Sequence, residues 1–176
     1  DKLGICPTGS ALLEKARRSG LGAANTLESL AVARGCWHYR SPDLSSPPEV
    51  RESDFSNEEL AIALLSPELP YSPHTIRVGA AMLGAAENNV ETLVGLAIAN
   101  QSVAIVRYIA SAGMGFEPNN RFWQSLLAKL PDAPSLPEGV MPHPTRFVSM
   151  TGFTRQGRSR VTVWIRPRRD LALIHG

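Results

Sequence analysis

Four histidines, two cysteines and a run of C-terminal arginines are the residues whose types could carry chemistry. His38, His74, His143 and His175 are scattered, and no two stand at metal-ligand spacing. Cys6 and Cys36 are too few for a disulfide scaffold. Two readings of them stay open: two reduced, partly buried thiols, or one disulfide tying the N-terminal segment to the turn at Gly35. A zinc site from Cys6, Cys36 and His38 lacks the fourth ligand of a closed tetrahedral centre. No metal and no cofactor is therefore expected. Nucleophile-elbow, phosphate-loop, zinc-protease and dinucleotide fingerprints are all missing from the sequence. Glu58 and Glu59 are adjacent and would point to different faces of a helix. Glu87 and Glu91 bracket a turn. These carboxylates read as caps and solvated charge rather than as an acid–base pair. The sequence leans away from catalysis, and an enzyme without a recognisable motif remains a third reading.

The arginines are more informative. Residues 144–176 hold seven of them, Arg146, Arg155, Arg158, Arg160, Arg166, Arg168 and Arg169, against Asp170 alone. That segment carries +6 within a chain of net +2, so residues 1–143 carry −4. Residues 41–73 are the acidic pole, with seven carboxylates against Arg51. An all-arginine basic segment suits carboxylate or phosphate recognition, because each guanidinium is a planar fork of donors. It equally suits a solvated edge that resists strand aggregation, or internal pairing with the acidic stretch. Phe153 and Trp164 stand among these arginines, and aromatics interleaved with arginines can stack bases and hold phosphates. Arg155, Arg158, Arg160, Trp164, Arg166, Arg168 and Arg169 are thus the candidate partner or polyanion surface. A second candidate patch is Trp37, His38, Tyr39 and Arg40, since Trp, Tyr and Arg dominate binding hot spots. The same Trp37 and Tyr39 could instead pin a long loop to the core.

The elements that must position these residues can be read from caps and breakers. Ser10 caps a helix over 11–18, and Asn25 opens one over about 26–34 that Gly35 stops. Residues 36–55 form a Pro- and Ser-rich acidic loop. Ser56 and Glu59 make a capping box for the run Leu60–Leu65, which Pro67 ends. Ser72-Pro73 opens a helix to about 86. Helices over 90–99 and 102–112 follow, with Gly113 as the stop. A helix after Asn120 presents Phe122, Trp123, Leu126, Leu127 and Leu130 and ends at Pro131. Five prolines in 131–144 make a stiff connector. The period then falls to two: Phe147, Ser149, Thr151 and Phe153 share one face, and Val161, Val163 and Ile165 another. This predicts a β-hairpin, with a short third strand over Leu171–Ile174. An isolated hairpin is marginal in water, so it must pack on the helices or on a partner.

Helix starts recur about every 30 residues from Asn57 onward, as in stacked helical hairpins. Thr92-Leu-Val-Gly-Leu-Ala97, the pair Ile105-Val106 and Gly113 together resemble one ankyrin repeat over residues 92–118. Leu93 and Gly95 replace the usual Pro and His, and Gln101 stands where a turn glycine is usual. The resemblance implies protein binding by a concave face, and it transfers no binding residue. The expected architecture is mainly α: a short, α-solenoid-like stack of helical hairpins with a C-terminal β-hairpin. Its parts are an N-terminal helical segment 1–35, the loop 36–55, a helical-hairpin core 56–130, the connector 131–145 and a basic hairpin 146–176, read together as one domain. No apolar run reaches the length of a membrane span, and a cytoplasmic location is expected. A start at Asp1 reads as a chain processed, tagged or cut from something longer. The expected role is a non-catalytic binding or assembly module with a protein partner or a second copy, opposite poles favouring head-to-tail association. Nucleic-acid binding through the hairpin is the alternative.

Overall fold

A computed structural model describes residues 11–44, 46–69, 72–137, 139–153 and 160–168, without the side chains of 150–153 and 160–162. Among them the chain is mainly helical, with a two-stranded antiparallel hairpin near its C-terminal end. The helices are α1 (Ala11–Arg18), α2 (Ala24–Ala33), α3 (Asn57–Leu64), α4 (Pro73–Leu83), α5 (Val90–Ala99), α6 (Val103–Phe116) and α7 (Arg121–Lys129). The strands are β1 (Val148–Phe153) and β2 (Arg160–Trp164). None of the described helices is long and apolar enough to cross a membrane.

Caps set most boundaries. Ser56 Oγ accepts from Glu59 N at 3.1 Å, and the Glu59 carboxylate returns the bond to Ser56 N at 2.9 Å. Two of the orphan donors at the start of α3 are thereby satisfied. Ser72, Asn89 and Asn120 cap α4, α5 and α7 through their side-chain oxygens. Between the caps, α3 is buried from Leu60 to Leu64 and packs against α1, α2, α4 and α5. A helix apolar on every side belongs at the centre of a core, and here it is surrounded on that account. Lys15 of α1 reaches back over it to Glu59 at 2.6 Å.

Three boundaries differ from expectation, and the simplest is that α4 ends at Leu83, with Gly84 as its C-cap, rather than near residue 86. α2 begins at Ala24, because Thr26 rather than Asn25 turns back, its hydroxyl taking Ala23 N at 3.1 Å. α6 runs through Gly113 to Phe116. Gly113 is there for packing: a Cβ on it would lie 2.3 Å from the Trp123 ring of α7. The loop 36–55 is anchored at both ends, by a 3-10 turn at Trp37–Tyr39 and by the fully buried Phe55. The proline connector lies along α6, where the Tyr108 hydroxyl donates to Pro142 O at 3.0 Å and Arg107 to Leu130 O at 3.3 Å. The proposed strand over Leu171–Ile174 and the cap at Ser10 lie outside the described residues.

The hairpin packs on its own helices. Val148 pairs with Trp164 and Ser149 with Val163 in the strand register. Because side chains alternate across a strand, burying Trp164 turns Val163 outward. Trp164 is 1% exposed and Val163 45%. The indole of Trp164 packs at a tilt against Trp123, at 4.7 Å between ring centres, and against Phe147 at 5.6 Å. Its Nε1 donates to Ala80 O at 3.2 Å. Gly84 leaves room for it, since a Cβ there would lie 2.7 Å from the indole nitrogen.

Candidate functional site

The turn after α2 and the segment that follows β2 are joined through Gly35. This glycine has φ +116°, a conformation side chains rarely tolerate. Its carbonyl accepts from Arg168 N at 2.9 Å. A Cβ on Gly35 would lie 2.3 Å from the Arg168 carbonyl oxygen, so the two backbones meet only because position 35 has no side chain. Beside this junction opens a groove of about 610 Å³, with Trp37 and His38 on one wall and Val163, Arg166 and Arg168 on the other. Both surfaces singled out from the sequence therefore border the same groove. No carboxylate stands among its described lining residues.

The individual residues take unequal parts. Trp37 is half-buried, and the Arg40 guanidinium covers its ring at 4.6 Å. This cation–π stack holds Arg40 out at the surface. His38 is exposed and meets the Tyr39 ring edge-on at 5.0 Å. Tyr39 itself is buried and rests against His74 at 5.6 Å, and burial pushes its phenol up to about 12. It holds the loop to the core, so the exposed part of that patch is Trp37, His38 and Arg40.

Trp164 and Arg166 depart from the expected contact surface. Trp164 is in the core and has no face to offer a ligand. Arg166 is spent inside the protein: Nε donates to Gly84 O at 2.7 Å, and both terminal nitrogens bind the Glu117 carboxylate. Glu117 also accepts from Trp123 Nε1 at 2.8 Å and Asn120 Nδ2 at 3.2 Å. Burial alone would raise the Glu117 pKa, but the bonds from Arg166 and Trp123 and the Arg166 charge bring it down to about 2. Arg168 is exposed at the groove. Arg155, Arg158 and Arg169 lie outside the described residues, as does the side chain of Arg160, whose backbone pairs with Phe153.

Sequence reasoning missed Val163 and Gly35. Val163 is next to Trp164, and a period of two does not say which of two apolar neighbours faces in. Gly35 read only as a helix stop, and its contact with Arg168 spans most of the chain.

Three further groups of the sequence reading have structural partners. His74 Nε2 lies 3.5 Å from Glu28, whose pKa burial raises, against the opposing pull of His74. His143 Nδ1 contacts Thr145 Oγ1 at 2.8 Å and caps the 3-10 turn at Pro144–Phe147. Cys36 is a free, buried thiol with Sγ 3.3 Å from Met82 Sδ, and burial pushes it up to about 12. Cys6 and His175 lie outside the described residues. Among the described residues no three His, Cys, Asp or Glu side chains converge on a metal position.

The Gly35 junction makes a direct prediction. Gly35→Ala is expected to cost about 2–3 kcal/mol, combining left-handed strain with a backbone clash. Hydrogen exchange should locate the loss at Arg168 N. A stability change under about 0.5 kcal/mol would show that the two segments do not touch.

Comparison of the chain with protein-family models, with curated proteins and with solved structures finds no match.

Proposed function

We propose that the protein is a non-catalytic binding or assembly module, and that it engages an acidic, partly apolar segment of a protein partner in the Trp37–Arg168 groove. One observation carries this reading: an exposed valine, a half-buried tryptophan and the exposed Arg168 share a groove whose described lining lacks carboxylates. Aromatic and arginine side chains supply most of the binding energy of protein interfaces, and an apolar residue between them gives a desolvated centre. The basic C-terminal segment would steer an acidic partner toward this face. Protein binding is also what the ankyrin-like pattern of residues 92–118 implies. Nucleic acid fits less well, because Trp164, one of the two hairpin aromatics that could stack a base among the arginines, is enclosed.

Partner capture with the whole chain and with Val163→Asp and Arg168→Glu tests this. Both variants should keep their melting temperature within about 2 °C, since both sites are at the surface. Each should lower recovery of a bound protein at least tenfold. Light scattering with a mixed oligonucleotide pool should show no complex. An oligonucleotide complex that dissolves as salt rises would turn the reading to a polyanion surface. Capture that neither substitution weakens would overturn the groove as the binding site.

A further inference from the structure

A second cavity lies on another part of the molecule, between the loop after α3, the start of α4, the α5–α6 turn and the proline connector. It has a volume of about 280 Å³. Leu65, Ile76, Ile105, Leu136 and Val140 are among its walls, and no charged side chain appears in its described lining. The hydroxyls that reach it are already engaged within the protein. Thr75 Oγ1 points to Glu28 at 3.5 Å, Ser66 Oγ takes Glu68 N at 3.3 Å, and Ser72 Oγ caps α4.

Gln101 is the exception, in two ways. It lines the cavity from the α5–α6 turn. It is also the one non-glycine residue with positive φ among the described residues, at 58°. That conformation is unfavourable for a side chain other than Asn or Asp, and the local geometry would be served better by glycine. The φ belongs to the turn that closes α5, where Ser102 N donates to Ala97 O at 2.8 Å and Gln101 N to Ile98 O at 3.4 Å; glycine is usual at that position, and here a side chain stands at the cavity instead. The outer wall is Leu136, Val140 and Met141 of the connector, a segment whose five prolines between 131 and 144 restrict the backbone that carries them.

From this we infer that the cavity is a binding site for a neutral, mainly aliphatic small molecule carrying one hydrogen-bonding group, which the Gln101 amide receives at the mouth. A described lining without charge disfavours an ion, because a buried charge needs a partner. The size is set by proportion: an apolar cavity of ~150 Å³ takes benzene, so this one accommodates roughly eight to twelve non-hydrogen atoms. The site is separate from the Trp37–Arg168 groove and stands whether or not that groove binds a partner.

The test uses the full chain with three probes of one length: 1-octanol, octanamide and octanoate. Titrations are followed by methyl NMR at Ile76, Ile105 and Val140. Saturable shifts with octanol and octanamide are expected, with octanoate at least tenfold weaker. Val140→Phe should fill the cavity and lower affinity for both neutral probes more than tenfold. Gln101→Gly should raise the melting temperature by about 2–4 °C by relieving the left-handed strain, and weaken octanamide about tenfold. Three results would each overturn the proposal: no saturable shift from the neutral probes, octanoate binding as well as octanamide, or Gln101→Gly leaving octanamide affinity unchanged.

Discussion

Trp164→Ala is expected to lower the unfolding free energy by about 3–5 kcal/mol, the range for emptying a core site of this size. For a chain of 176 residues that is a fall of roughly 10 °C in melting temperature. The indole is enclosed by Trp123, Phe147 and the space left at Gly84, and the helices cannot close over the void without moving α7. Trp164→Phe separates packing from hydrogen bonding. It keeps a ring against Trp123 but loses the donor to Ala80 O, which then costs about 1 kcal/mol. Because a two-stranded hairpin is marginal alone, the larger variant should also release β1 and β2 from hydrogen-exchange protection while α3 stays protected. Chemical denaturation of the three proteins checks this. A loss below about 1 kcal/mol for the alanine variant would mean that the hairpin is not seated on these helices. A double-mutant cycle with Trp123 should return a coupling energy, since the rings are in contact.

Much of this arrangement was legible before the structure, and what was not has a physical reason. The capping residues Ser56, Ser72 and Asn120, and the stops at Pro67 and Pro131, are local signals, and the helix starts fall where they point. The hairpin was legible from its period of two. Gly113 misled because a glycine near a helix end has two meanings. It can stop a helix, or it can admit a large ring from a neighbour, and only tertiary packing distinguishes them. Trp164 misled in the same way: indole among arginines fits a stacking surface as well as a strand with one buried face. The partners of Arg166 and Gly35 lie 49 and 133 positions away in sequence. No periodic pattern carries contacts of that range. The groove was therefore legible as two separate patches and not as one place.

The acid limb of the stability curve should carry the signature of Glu117. Its carboxyl is held at about 2, against an ordinary value of 4.5, so folding favours the ionised form. A carboxylate depressed in the folded state stabilises fully above the unfolded value and loses that contribution as pH falls. The window for Glu117 is thus from about pH 4.5 down to about 2. Glu59, lowered against its burial by Lys15 and Ser56, adds a loss of the same sign just below 4.5. Glu28 has the opposite sign: its pKa is raised, so its contribution is complete below 4.5 and declines as pH rises above it. The two limbs are therefore separable by substitution. Glu117→Gln keeps an acceptor for Trp123 and Asn120 but removes the charge facing Arg166, which is left partly enclosed with only Gly84 O. At pH 7 this should cost about 2–3 kcal/mol, as for a charged hydrogen-bond pair that is broken on one side. At pH 2 most of the gap should be gone, because the parent's carboxyl is then about half protonated in the folded protein and almost wholly protonated in the unfolded chain. Denaturant midpoints at pH 7, 4 and 2 for both proteins measure the difference. A gap that persists undiminished to pH 2 would show that Glu117 acts by shape and not by charge. The pair matters beyond stability, since Arg166 fixes the chain leading to Arg168 and so the wall of the groove. Loss of partner binding by Glu117→Gln at pH 7, without loss of the helical core, is the expected functional counterpart.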